Sequence, residues 1–130
     1  MDRKEIYIYL RNPVSERALV PVLRKALGVD ISSAEDDSPG APGVALINQF
    51  PRGLRAGCSI SFDCGVSVDF VASIKRLSEL LNMEVVADLE DDDDWLQVLP
   101  DGRLRQVELM EVGDAKSGVG IDICPGNFPA

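Results

Sequence analysis

Residues 83–112 read MEVVADLEDDDDWLQVLPDGRLRQVELMEV, and this stretch decides the fold class. It contains three strand-like runs: 83–89, 95–99 (WLQVL) and 103–112 (RLRQVELMEV). Each is bounded by charged or turn-forming residues. No helical pattern separates them. Pro100-Asp101-Gly102 between the second and third runs is a hairpin signal. Strands joined by tight turns are antiparallel, because a parallel pair needs a crossover of about a dozen residues or more. Leu104, Val107, Leu109 and Val112 do not keep one alternation, which predicts a bulge or a changed register in the last run.

Working outward, residues 67–82 predict a helix. Phe70, Val71, Ile74, Leu77, Leu80 and Leu81 form an apolar stripe, with Lys75, Arg76 and Glu79 off it. Ser67 is the candidate N-cap, Asp69 suits the first turn, and Asn82 is the stop. Before the helix, residues 57–64 (GCSISFDC) alternate as a half-buried strand, and 43–50 read as another. Residues 34–43 (AEDDSPGAPG) form a loop by composition, after a short strand over 29–33. A helix precedes these, with Ala18, Leu19, Val22, Leu23, Ala26 and Leu27 on one face. Pro21 either starts this helix or kinks it, and Gly28 stops it. Residues 4–10 open the chain as a strand, Ile6, Ile8 and Leu10 alternating with Tyr7 and Tyr9. The expected fold is α+β: a mainly antiparallel sheet with two helices packed on one face. Residues 1–112 make the single domain, and 113–130, rich in Gly and Pro, make a C-terminal tail or an edge strand over 119–124.

The 130 residues carry a net charge of −9, unevenly placed. Residues 1–65 hold eight basic and eight acidic side chains. Residues 66–130 hold five basic and fourteen acidic ones, and no Lys or Arg occurs from Leu77 to Gly102. The centre of the charge is Asp88, Glu90, Asp91, Asp92, Asp93, Asp94 and Asp101. Such a surface repels phosphate backbones and anionic membranes, and it attracts a basic protein at a salt-dependent rate. The bland alternative is a solvated loop that aids solubility. Trp95 directly follows Asp94. In a half-buried strand with Asp94 toward water, Trp95 points into the core; the functional alternative makes it an aromatic anchor ringed by charge.

Chemistry-bearing motifs are scarce. The chain has no histidine, which removes His-based triads, His general bases and His-containing metal sites. An EF-hand loop started at Asp88 puts Asp93 at the glycine position and Leu99 at the final glutamate position, so the pattern fails. Residues 113–118 (GDAKSG) lack the spacing and following helix of a phosphate loop. Cys58, Cys64 and Cys124 have no zinc-knuckle spacing, and Cys58 falls on the apolar parity of its strand, which predicts a buried, reduced thiol. No stretch is apolar enough to span a bilayer, and residues 1–5 lack the apolar core of a secretory signal, so a cytoplasmic, cofactor-free protein is expected.

The layout of residues 67–112 (helix, strand, acidic run, WLQVLPDG, strand) resembles that of small immunity proteins from bacterial toxin–immunity systems. The resemblance implies a non-enzymatic inhibitor that covers a basic toxin. The expected function is therefore an acidic binding module for a basic protein partner. Its expected site comprises Asp88, Glu90, Asp91, Asp92, Asp93, Asp94, Trp95 and Asp101. The alternatives are a structural or chaperone-like subunit, or a small carboxylate-based enzyme.

Overall fold

The computed structural model describes residues 5–33, 42–62, 69–88, 94–116 and 118–124. β1 (Glu5–Leu10) lies at the middle of the main sheet. α1 (Glu16–Leu27) carries the chain to β2 (Ile31–Ser33), at the sheet's edge. β3 (Gly43–Gln49) pairs parallel with β2 and antiparallel with β4 (Ala56–Phe62), which returns beside β1. α2 (Phe70–Leu81) then leads to β5 (Val85–Asp88) on the other side of β1. β6 (Trp95–Val98) and β7 (Leu104–Val107) extend the sheet as hairpin-joined neighbours. The order is β2-β3-β4-β1-β5-β6-β7, antiparallel except for the β2–β3 pair. The α+β expectation, with both helices on one face, holds.

Strand parity decides what lies under the helices. Ile6, Ile8 and Leu10 of β1 point to one face with Cys58 and Ile60 of β4, Val85 and Ala87 of β5, and Leu96 and Val98 of β6. Leu19, Leu23 and Leu27 of α1 and Ile74 and Leu77 of α2 close over them. Leu77 is fully buried, and burial of such a side chain contributes about 1.5–3 kcal/mol. Ser78, also fully buried, donates to the Met83 carbonyl at 2.7 Å, which ties the end of α2 to the approach to β5.

The helix ends refine the sequence reading. Asp69 itself is the N-cap of α2, its carboxylate accepting the Ala72 N–H at 3.3 Å; Ser67 lies outside the described residues. The buried stripe is narrower than expected, since Val71 and Leu80 lie exposed on its flanks. Pro21 falls inside α1, which begins earlier, at the Ser15 cap. Gly28 ends that helix at φ +70°, where no side chain is needed or favoured. The loop over 34–43 and Cys64 lie largely or wholly outside the described residues.

The broken alternation of residues 103–112 marks a change of sheet. β7 ends at Val107, and β8 (Leu109–Asp114) pairs with β9 (Gly118–Ile123) in a separate two-stranded ribbon. The expected domain boundary at residue 112 therefore falls within β8. The ribbon folds back over the face opposite the helices. Leu54, Val86, Val107 and Ile123 form a second, smaller core there, with Tyr9, Trp95 and Leu109 packed against it. The Leu54 N–H donates to the Ile121 carbonyl at 2.7 Å. Gly53, at φ +69°, lets the Ile121 backbone come this close, because a Cβ would overlap the Ile121 carbonyl.

Candidate functional site

Alternation along β1 sends Tyr7 and Tyr9 to the face away from the helices, and the same parity in β6 sends Trp95 there. Trp95 is half-buried. It packs against the smaller core of this face, while Leu96 points into the main one. Its ring lies 5.4 Å from Tyr9 and 6.2 Å from Tyr7, the second pair at 82°. Tyr7 and Tyr9 stand edge-to-face at 5.0 Å, and Phe50 lies 6.0 Å from Tyr9. Opposite Tyr9 on β4 stands Gly57, over which Phe50 and the Tyr7 hydroxyl lie; an added Cβ would meet them at 2.9 and 3.0 Å. Edge-to-face pairs contribute about 0.5–1.5 kcal/mol each beyond their burial. Burial, then the neighbouring Tyr7 phenol, pushes the Tyr9 hydroxyl up to about 12.

A polar chain borders this aromatic group. Arg11 donates to Glu84 at 3.0 Å and pairs with Asp122 of the ribbon at 2.9 Å. Gln97, a buried residue, donates to the other Glu84 oxygen at 2.7 Å and accepts from Arg105 at 2.6 and 2.9 Å. Gln97 thus links the Glu84 carboxylate and the Arg105 guanidinium through one amide. Leaving that amide unpartnered in a buried position costs about 1–3 kcal/mol.

The acidic residues divide into three groups. Asp88 pairs directly with Trp95 across the β5–β6 ladder and so stands at the edge of the aromatic group; Asp94 precedes Trp95 in the chain. Glu90, Asp91, Asp92 and Asp93 join β5 to β6 in sequence and lie outside the described residues. Asp101 is not brought to the same place. It sits in the turn beyond the far end of β6, exposed, accepting from the Arg103 backbone at 3.0 Å and its guanidinium at 2.7 Å. The Arg103 backbone N–H first, then its guanidinium, hold the Asp101 carboxyl below the usual carboxylate range.

Three residues of the aromatic group, Tyr7, Tyr9 and Phe50, escaped the sequence reading. The signal for the tyrosines was present, because two aromatics two residues apart on the parity opposite Ile6 and Ile8 mark a second apolar face. Phe50 gave no such signal, since it lies beyond β3 and reaches Gly57 only through the turn that follows.

Among the described residues no three metal-ligating side chains cluster. Cys58 is fully buried, and burial, then the charge of Glu16, pushes its thiol up to about 12, so it holds no thiolate at neutral pH. The site presents a contiguous aromatic surface with Asp88 at its edge. Among the described residues no helix is long and apolar enough to cross a membrane. Comparison of the chain with protein-family models, with curated proteins and with solved structures gives no match.

Proposed function

We propose that this protein is a non-enzymatic binding module for a basic protein, held at the acidic segment 88–94 and the aromatic group beside it. The observation that carries the reading is the pairing of Trp95 with Asp88, the first carboxylate of the acidic segment. Exposed charge pairs contribute only about 0–1 kcal/mol each, so an acidic segment alone steers a partner without holding it. Holding requires an apolar anchor, and half-buried Trp95, braced by Tyr7 and Tyr9, has the rigidity and area for one. The resemblance of layout to small immunity proteins favours a basic toxin as the partner, neutralised by a cover placed over its active site.

The test is purification of the protein with its partner from native extract, followed by association kinetics with the isolated partner. The expected partner is basic, and Trp95→Ser raises its dissociation rate. An acidic partner, or dissociation unchanged by Trp95→Ser, overturns the proposal.

A further inference from the structure

A recess of about 250 Å³ lies at the turn end of the β6–β7 hairpin, lined by Gln97, Leu99, Arg103, Leu104 and Arg105. The turn itself sets up this wall. The Leu99 N–H donates to the Arg103 carbonyl at 3.0 Å and the Gly102 N–H to the Leu99 carbonyl at 2.9 Å, which reverses the chain tightly. Gly102 takes φ +92°, a conformation that a side chain would resist. Arg103 and Arg105 stand two residues apart, the spacing at which an extended chain sends side chains to one side, and both line the recess.

The wall therefore holds two guanidiniums and, among the described residues, no carboxylate. It is a basic spot in the half of the chain that carries the whole net charge of −9. Arg105 is fixed in place. The Gln97 Oε1 accepts from its Nε at 2.9 Å and its Nη2 at 2.6 Å, and Gln97, itself buried, is anchored to Glu84 at 2.7 Å. An amide orients a guanidinium without opposing its charge, as a carboxylate in its place would. Arg103 donates from its Nε to the Asp101 carboxylate at 2.7 Å. A guanidinium has more donors than either contact uses, and its planar fork matches the two oxygens of a carboxylate.

We infer that this recess binds a small organic monocarboxylate. The two guanidiniums set the sign of the ligand, and Arg105, already oriented, sets its planar head. The volume lies below the roughly 300–1,000 Å³ of pockets for drug-sized ligands, so the body of the ligand is short. Half-buried Leu99 gives a carbon chain an apolar contact that an inorganic oxyanion has no means to use. The negative field of this half of the chain disfavours each further negative charge, which selects a monoanion over a dianion. The recess shares no residue with the Trp95 surface, so the inference stands apart from the protein partner proposed above.

The probe is butyrate, titrated at constant ionic strength into the ¹⁵N-labelled full chain, with butyramide as its uncharged isostere and inorganic phosphate as the competing oxyanion. Shift changes centred on the Gln97 side-chain amide, the Arg105 Nε–H and the Leu99 and Leu104 backbone amides are expected. Butyrate should bind about tenfold tighter than butyramide and tighter than phosphate. Arg103→Gln, at an exposed position where the fold is kept, should weaken butyrate about threefold. Arg105→Lys, which keeps the charge and removes the fork, should weaken it about tenfold. No binding, shift changes centred elsewhere, equal affinity for butyramide, or affinity unchanged in either variant overturns the inference. Phosphate binding as tightly as butyrate or tighter overturns it also, by assigning the recess to inorganic oxyanions.

Discussion

Asp88 and Trp95 face each other directly across the β5–β6 ladder, so the only tryptophan of the chain stands beside the first carboxylate of its acidic segment. The pairing gives the binding proposal a spectroscopic handle. On the binding proposal, a half-buried indole paired with Asp88 at the start of an acidic segment is expected to lie in a negative local potential, which concentrates cations and excludes anions. Caesium should therefore quench Trp95 fluorescence about twofold more effectively than iodide at low ionic strength, once each is normalised to a free tryptophan amide, and the gap should close in high salt. Equal quenching at low salt would mean that the carboxylates do not set the field at this ring.

The buried Cys58 and the half-buried Tyr9 make an alkaline limit. Both groups have folded-state values raised to about 12, from 9.0 and 10.0, so folding disfavours their anions. A raised acid contributes no penalty below its unfolded value. Stability is then intact below pH about 9 and falls as pH rises toward 12. Denaturant unfolding at pH 8 and pH 11 should show the loss, with part of it removed in Cys58→Ala. Native Cys58 should resist thiol labelling at pH 8 until the chain unfolds. Rapid native labelling of Cys58, traced by peptide mass, would contradict the burial.

The ribbon is held by backbone contact, so a single methyl should release it. Gly53→Ala places a Cβ on the Ile121 carbonyl and forces a positive φ on a residue that resists it. The expected cost is about 2–4 kcal/mol, with the amides of β9 losing hydrogen-exchange protection before those of β1 and β4. A smaller loss spread evenly over both sheets would show that the ribbon and main sheet unfold as one unit.

Local patterns made the two helices and the β6–β7 hairpin readable in advance. The stripe through Ile74 and Leu77 and the Pro100-Asp101-Gly102 turn each need only neighbouring residues for their interpretation. The disruption at Glu108 was also visible, as lost alternation, though not the second sheet it leads to. Non-local choices were not readable. Nothing near Glu5–Leu10 says that β1 becomes the central strand, and nothing near Ile31–Ser33 says that β2 pairs parallel. The parity of Trp95 against Leu96 was plain, yet which parity meets the helices depends on Ile8, Ala87 and the strands between. The same dependence hid the site: Trp95 meets Tyr7 and Tyr9 only because β5 lies between β6 and β1. Asp101 was placed with the acidic segment because it is near in sequence, but the length of β6 carries it to the opposite end.

The most direct test of the binding account is the rate at which the isolated natural partner associates with the protein, measured at low and at physiological ionic strength. It compares the native chain with a variant in which Asp91, Asp92, Asp93 and Asp94 are replaced by Asn. The account predicts a basic partner, association that slows about tenfold in the variant at low salt, convergence of the two rates as salt is raised, and an unchanged unfolding midpoint. An equal association rate for the two proteins at low salt, with both folded, would contradict it.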